Sequence, residues 1–479
     1  MKVIRNYFIN LGYQLLILMA PLLTIPYVSR VLGPENVGIN AYTNSVMTYL
    51  LIFATFGLNM YGTNKIKQET KADRRAKLFW EIELLQVLMV VIALSLYMIL
   101  TSFAARFRPY FWAQGISILA VAFDISWYFT GTNEYRKTLF RNTIIRVLGI
   151  VFILVLVKTS SDLLLYILVT ALAGLLGNLS LWPALKDHLV KINMGTLIFL
   201  PHVKPAFLLL LPTVASQIYL MINRTLLGKL DAISASGYFD YGSKLVMVLI
   251  AMVTALGYVM LPVAYKSAKK GNDALLYEQL KTSMDITTSL GTGLAFGIAA
   301  IASQMSTWLL GSGYEPVTPL LMIIAPAVLL IGWSNVLGQQ YMILKRKTTV
   351  YTAILWAGVV LNISFDFLLI PWFGLNGAAM GLVISEIIIV IWQLAVLQKE
   401  VAIGGLFAEI WKYLFSGVVM FGIVFYLNNT QFKNAHHLLL QIILGIIIYG
   451  GLLIFFETPI VRRARQILKD AMIEPEIRA

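Results

Sequence analysis

The chain has 479 residues, of which 59% are hydrophobic and 13% charged, and its formal net charge is +14. Soluble domains carry about 25% charged residues, so this composition excludes a water-soluble fold. The absence of cysteine excludes disulfide scaffolds, thiol catalysis and cysteine-based metal sites.

Apolar runs of near twenty residues recur along the chain, and each is long enough to cross a hydrocarbon core as a helix. We therefore predict an all-α polytopic membrane protein of about fourteen transmembrane helices. The first six cover residues 11–28, 41–61, 78–101, 111–130, 143–157 and 163–182. The second six cover residues 206–227, 237–263, 284–310, 317–344, 349–370 and 376–397, and a final pair covers 411–427 and 438–456.

The basic residues are distributed unevenly between the predicted loops. If the N-terminus is cytoplasmic, the inward loops hold most of them, among them Lys65, Lys67, Lys71, Arg74, Arg75, Lys77, Arg136, Lys137, Arg141 and the tail residues Arg462, Arg463 and Arg465. The outward loops hold little more than Arg30, Arg106, Arg108, Lys158, Lys229 and Lys433. This bias predicts that both termini are cytoplasmic, and it explains the positive charge by topology rather than by a nucleic-acid partner.

Two weak internal similarities indicate a duplicated six-helix unit. Arg30 to Gly33 after the first helix resembles Arg224 to Gly228 in the seventh, and Trp127, Gly131 and Arg136-Lys137-Thr138 find counterparts in Trp333, Gly338 and Arg346-Lys347-Thr348. An even number of helices in each unit predicts parallel repeats, with a substrate path at their interface. The predicted domains are residues 1–190, residues 191–400, and residues 401–479 with the last two helices and a basic cytoplasmic tail.

Motifs for catalysis and for cofactors are missing from the sequence. No Gly-Lys-Ser/Thr phosphate loop occurs, and the four histidines are predicted to lie in loops rather than at metal-ligand spacing on a helix: His188, His202, His436 and His437. None of the connections is long enough for a folded outer domain, which disfavours a membrane glycan polymerase. We expect a transporter that is not an enzyme and has no cofactor or metal site.

The sequence resembles the bacterial polysaccharide flippases of the multidrug/oligosaccharidyl-lipid/polysaccharide exporter superfamily over nearly its whole length. The resemblance is carried by Ser29-Arg30-Val31-Leu32-Gly33-Pro34-Glu35-Asn36-Val37-Gly38, Tyr61-Gly62-Thr63, Asn223-Arg224-Thr225-Leu226-Leu227-Gly228 with Gly237-Tyr238, and Ile370-Pro371-Trp372-Phe373-Gly374-Leu375-Asn376-Gly377-Ala378-Ala379. The chain departs from the family where Asn223 stands in place of an acid and Asn64-Lys65 in place of Arg-Glu.

The resemblance implies a V-shaped pair of six-helix bundles in the bacterial plasma membrane. It implies alternating-access transport of an undecaprenyl-pyrophosphate-linked oligosaccharide to the outer leaflet, for capsule, exopolysaccharide or O-antigen synthesis. Membrane lipids and the polysaccharide polymerase and chain-length proteins are the implied partners. Three other transporters remain alternatives: a lipid II-type flippase, a sporulation-type flippase, and a multidrug and toxin extrusion antiporter, which typically has twelve helices.

Four polar residues are candidates for substrate binding. Arg30, Arg224 and Lys244 fall near the outer ends of predicted helices one, seven and eight, and guanidinium groups pair well with pyrophosphate oxygens. The alternatives are that the arginines extend to the membrane interface and that Lys244 only neutralises Asp240, four residues earlier. Asp124, inside predicted helix four, is the fourth candidate.

Three acids are candidates for ion coupling, because a charge inside the bilayer needs a cavity or a partner. Glu386 lies near the middle of predicted helix twelve, and Asp240 and Asp366 lie nearer the outer ends of helices eight and eleven. A paired or protonated structural acid is the alternative for Glu386.

Overall fold

The computed structural model describes residues 2–186, 190, 192–269, 272–430 and 437–466, and these residues form helices without any β-strand. The first nine helices are α1 (Lys2–Thr55), α2 (Leu58–Gln68), α3 (Ala72–Ser102), α4 (Arg108–Val121), α5 (Ser126–Gly131), α6 (Tyr135–Leu156), α7 (Leu163–Leu179), α8 (Leu200–Leu230) and α9 (Ile233–Lys269). The others are α10 (Asp273–Ala300), α11 (Ala302–Gln304), α12 (Val317–Ile324), α13 (Ala327–Leu337), α14 (Thr348–Phe373), α15 (Leu375–Leu397), α16 (Ile403–Phe407), α17 (Ile410–Thr430) and α18 (His437–Phe455).

The first two predicted helices are joined through a kink instead of a loop. α1 continues to Thr55, and Gly33 inside it has φ 74° and ψ 170°, a conformation that glycine adopts without steric cost. Pro34 follows, and proline fits the first turn of the helix that resumes there. The chain therefore changes direction within two residues, where the sequence predicted a longer connection.

Four of the predicted membrane helices are interrupted. Predicted helix two is divided between α1 and α2 at residues 56–57. Predicted helix four is divided into α4 and α5 by residues 122–125. Predicted helix nine bends by 62° between α10 and the segment Ala302–Leu310, which ends in a π-helical turn. Predicted helix ten is divided into α12 and α13 at residues 325–326, where Pro326 lacks the amide that a continuous helix needs.

The chain divides into two compact units, residues 1–237 and residues 238–479. In the first unit a core joins α2, α3, α5 and α8, and Phe79 stacks on Trp127 with ring centroids 5.4 Å apart. Gly62 makes this packing possible, because an added Cβ would lie 2.5 Å from the Trp127 ring. The second unit has its own core, which joins α10, α13 and α15.

α14 and α15 form the most closely packed helical pair of the second unit. A Cβ on Gly377 would collide with the backbone at Leu369, and one on Gly358 would collide with Ile389. A Cβ on Gly381 would lie 2.9 Å from Asp366 Oδ1. Small residues therefore allow these two helices to approach closely, as they do between membrane helices in general.

Nine described helical spans are long and apolar enough to cross a membrane, and ten if the bent pair at residues 273–310 counts as one span. Large apolar side chains cover their outer faces, as at Leu439 and Ile446, which are 70% and 67% exposed. A surface of this kind is stable against lipid and not against water. The chain is a polytopic all-helical membrane protein.

Candidate functional site

Arg224 in the first unit lies on a turn of α8 that side-chain hydrogen bonds hold in place. The hydroxyl of Thr225 lies 2.8 Å from Ser45 Oγ and 2.8 Å from the Tyr49 hydroxyl, and both partners belong to α1. Ser236 Oγ donates to the carbonyl of Arg224 at 2.6 Å. These contacts fix the backbone from which the guanidinium projects.

The Arg224 side chain is buried, whereas Arg30 is exposed. Arg224 Nη1 lies 3.3 Å from the sulfur of Met221, and Asn223 beside it has no exposed surface. Because a guanidinium stays charged at physiological pH, a permanent positive charge lies inside the unit. The burial of Arg224 does not fit the alternative that its side chain extends to the membrane interface. The roles of Arg224 and Arg30 stay predictions.

Asp240 and Lys244 form an ion pair on α9. Lys244 Nζ lies 2.6 Å from Asp240 Oδ2, with side-chain exposures of 38% for the lysine and 3% for the aspartate. The ammonium also lies 5.5 Å from the centre of the Tyr241 ring. The pairing that the four-residue spacing predicted is therefore present, and the Lys244 side chain stays partly exposed.

Asp366 lies on α14, where this helix packs against Gly381 of α15. The residue is fully buried, and a Cβ at Gly381 would lie 2.9 Å from its Oδ1, so glycine leaves the room that the carboxylate occupies. Asn362, one turn earlier on α14, is also fully buried, and neither of its amide atoms has a hydrogen-bond partner among the described residues. A carboxylate and an amide are suited to bind a proton or a small cation.

Glu386 is buried on α15, as its position in the middle of the predicted helix indicated. The structure thus places Glu386 and Asp366 on two helices that pack against each other. Among the described residues, no group of three or more acids or histidines is arranged to hold a metal ion.

Asp124 lies at the break between α4 and α5, where its carboxylate has a local partner. Asp124 Oδ1 accepts a hydrogen bond from the amide of Ser126 at 3.1 Å. The Gln86 amide, from α3, donates to the carbonyls of Val121 at 2.6 Å and Asp124 at 3.1 Å. Gln86 thereby satisfies backbone groups that the broken helix leaves without helical partners.

A buried chain of titratable side chains in the first unit was missed by sequence reasoning. The Tyr61 hydroxyl lies 2.7 Å from His202 Nδ1, and His202 Nε2 lies 3.1 Å from Glu81 Oε2. The Ile198 amide donates to the other Glu81 oxygen at 3.0 Å. The chain joins α2, α3 and the approach to α8.

The prediction that the histidines lie in loops was wrong for two of them. α8 begins at Leu200, earlier than the apolar run suggested, and so includes His202, while His437 begins α18. The error arose because hydropathy marks the apolar part of a helix and not its polar ends. His188 and His436 lie outside the described residues.

An apolar cavity of about 580 Å³ lies in the second unit between α10, α17 and α18. Glycines open it on both sides, with Gly293 and Gly297 on α10 and Gly445 on α18. Met420 and Ile446 are typical of the remaining wall, in which Ser289, Gln441 and Tyr449 are the polar members. The cavity accommodates hydrocarbon rather than a charged solute.

Comparison with known sequences finds similarity to proteins of polysaccharide biosynthesis and O-antigen transport. Residues 3–268 match the family described as "Polysaccharide biosynthesis protein". A protein of Escherichia coli (strain K12), provisionally named O-antigen transporter, is 24% identical over 375 residues, which are 77% of this chain and 90% of that protein. A protein of the same name from Shigella dysenteriae is 21% identical over 78% of this chain and 94% of its own length.

Comparison with solved structures identifies the fold. The lipid II flippase MurJ in an inward closed conformation is similar with a TM-score of 0.76 and 15% identity, covering 95% of this chain and 99% of that one. An inward-facing multidrug resistance transporter of the MATE family is similar with a TM-score of 0.64 and 15% identity, over 82% of this chain and 99% of its own. The chain therefore shares the all-helical membrane fold of both proteins.

Proposed function

The chain belongs to the polysaccharide biosynthesis protein family, and from this premise we propose that it is a flippase. It moves undecaprenyl-pyrophosphate-linked oligosaccharide repeat units from the cytoplasmic to the outer leaflet of the bacterial cell membrane. The family match over residues 3–268 is the observation that carries this proposal. The relatives named as O-antigen transporters, which match along most of their own length, support the same class of substrate.

The pyrophosphate is the part of the substrate that Arg224 is suited to bind. A buried guanidinium offers planar, paired donors to phosphate oxygens, and water competes less with this pairing inside the protein than at a surface. In this proposal Arg30 and the partly exposed side chain of Lys244 supply further positive charge, whereas Asp124 contacts the sugars. The carrier needs two states, one open to each side, and no ATP.

The apolar cavity between α10, α17 and α18 is suited to the polyprenyl tail. An apolar chain gains about 0.8 kcal/mol for each buried methylene relative to water, but little relative to lipid, so the cavity guides the tail more than it binds it. The apolar lining of the cavity supports a substrate with a hydrocarbon part.

Asp366, with Glu386 and Asp240, is our proposal for ion coupling. Asp366 combines full burial with the neighbouring amide of Asn362, whereas Asp240 already has the charge of Lys244 beside it. The coupling ion in this proposal is a proton or sodium. Of these three acids, Asp366 is the one at which the binding or release of an ion would change the local charge most.

Several finer expectations stay predictions. These are the count of fourteen helices in two parallel bundles of V shape, the cytoplasmic location of both termini, the domain limits at residues 190 and 400, and the polymerase and chain-length partners. The positive-inside bias of the loops supports the orientation of the termini.

The proposed function is tested by replacing Arg224 in cells that lack the chromosomal copy. We expect R224A to abolish surface polysaccharide and to cause lipid-linked repeat units to accumulate, with normal protein level and membrane insertion. K229A is the matched control, since Lys229 is an exposed cation on the same helix, and it should retain polymer output. Unchanged polymer output with R224A would exclude Arg224 from the substrate site. In the deletion strain, normal pools of lipid-linked repeat units together with altered drug tolerance would favour the multidrug antiporter.

A further inference from the structure

Glu83 is a buried acid in the first unit to which the proposed transport site gives no role. It lies on α3, about 16 Å along the helix from Ala72 at 1.5 Å per residue, and only 3% of it is exposed. Neither carboxyl oxygen has a hydrogen-bond partner among the described residues. Native proteins rarely leave a buried carboxylate in this condition, so the group needs an explanation.

Asp124 at the break between α4 and α5 is the neighbour that acts electrostatically on Glu83. Other titratable groups near α3 are already engaged, because Glu81 contacts His202 and lies 3.8 Å from Lys77, and His202 contacts Tyr61. The adjoining stretches of α1 and α4, residues 36–55 and 109–121, contain no Asp, Glu, Lys, Arg or His, and α2 contributes Lys65 and Lys67 at its last turn. α8 also contacts α3, and its Lys204 is exposed. Within the described chain, the charge that acts on Glu83 is therefore the negative charge of Asp124.

An ionised Glu83 would combine three unfavourable features. Its charge would be removed from water, would lack hydrogen-bond donors, and would face a second carboxylate. Binding one proton removes the buried charge and the repulsion, and it leaves a neutral polar group, for which missing hydrogen-bond partners cost much less than for a charge. A sodium ion would instead need several oxygen ligands, and the carbonyls of Val121 and Asp124 are already occupied by Gln86.

We propose that Glu83 is a proton-binding site of the first unit, with Asp124 as the neighbouring charge that sets its proton affinity. The site lies on different helices from Asp366. Because Asp124 is on the non-helical segment between α4 and α5, a movement of that segment changes the charge near Glu83 and with it the proton affinity. The further step, that this proton is exchanged during transport, rests on the proposed function.

The proton site is tested without any substrate by infrared spectroscopy of the full chain in lipid nanodiscs. In the wild-type minus E83Q difference spectrum at neutral pH, we expect a band from a protonated carboxyl group, which E83Q lacks while keeping the shape of the side chain. E35Q is the matched control, because Glu35 is an exposed acid and its loss should remove no such band. Absence of the band in the E83Q difference would show an ionised Glu83 and overturn the proposal.

The role of Asp124 is tested by the pH at which that band disappears. Replacing the negative charge by an amide in D124N stabilises the ionised form of Glu83, so we expect the midpoint to move by about one pH unit to lower pH, a tenfold loss of proton affinity. An unchanged midpoint in D124N would show that Asp124 does not set the proton affinity of Glu83. Loss of the band on adding sodium at constant pH would show that the site binds sodium in place of the proton.

A transport assay then separates this inference from the proposed function. We expect the rate in wild type to depend on a pH gradient and the rate in E83Q to depend on it less. An undiminished pH dependence in E83Q would refute exchange of the proton during transport. If the wild-type protein moves no lipid-linked oligosaccharide while the carboxyl band is present, the proposed function fails and the proton site stands.

Discussion

Asp366 is the residue for which burial and chemistry agree most closely on ion coupling. D366N preserves the shape of the side chain and removes its charge, so we expect the fold to persist and the dependence of transport on an ion gradient to fall at least about tenfold, within the range of coupling energies in transporters and allosteric proteins. Transport by reconstituted protein with and without sodium or proton gradients measures this. D273N is the control, since Asp273 pairs with Lys345 at an exposed position. Full gradient dependence in D366N would exclude Asp366 from coupling.

Sequence reasoning identified some members of the polar sites and missed others for a physical reason. Asp366 and Glu386 were recognised because an acid within a long apolar run is unusual, and both are buried. Glu83 lies only a few residues inside predicted helix three and therefore resembled an interfacial residue, although it is as buried as they are. Asn362 was missed because it carries no charge and therefore does not stand out as a residue that needs a cavity or a partner inside the bilayer. The structure shows that it is enclosed.

At the scale of the elements, α10, α17 and α18 provide a test of the proposed tail path. Gly297 lines the apolar cavity, and a Cβ there would meet its nearest neighbour, the Met420 methyl group, at 4.0 Å. G297F should therefore fill the cavity without a steric clash at the backbone, and we expect it to slow translocation of a substrate with a full-length polyprenyl tail more than one with a short tail.

G422F is the matched control for this prediction. Gly422 lies on the exposed face of α17 with nothing within 4 Å of an added Cβ, so phenylalanine there should only contact lipid. Equal translocation of both substrates by G297F, or equal losses in G297F and G422F, would exclude the cavity as the path of the tail.

The helices themselves were largely predictable, whereas their interruptions were not. Each apolar run between residues 11 and 456 contains described helix, and four of the runs are interrupted. The length and apolar character of a span were predictable because they follow from the thickness of the bilayer. The breaks at residues 33 and 122–125 depend on one glycine and on Gln86 from another helix. Such contacts are tertiary and leave no periodic pattern in the sequence.

At the scale of the whole molecule, the described chain consists of two compact helical units whose buried ionisable residues differ. The first contains Arg224 and Glu83, and the second contains Asp366, Glu386 and the pair of Asp240 and Lys244. The fixed positive charge of Arg224 in one unit and the proposed coupling acid Asp366 in the other would suit a carrier in which a conformational change links an anionic substrate to a cation. The central claim is that the chain transports a lipid-linked oligosaccharide.

The most direct test of this claim is translocation in proteoliposomes that contain the purified chain and an undecaprenyl-pyrophosphate-linked oligosaccharide. An impermeant glycosidase added outside measures how fast protected substrate becomes accessible. The account predicts that wild-type protein exposes the protected fraction much faster than R224A protein or empty liposomes do. Equal rates for wild-type protein and empty liposomes, with protein that is folded and inserted, would contradict it.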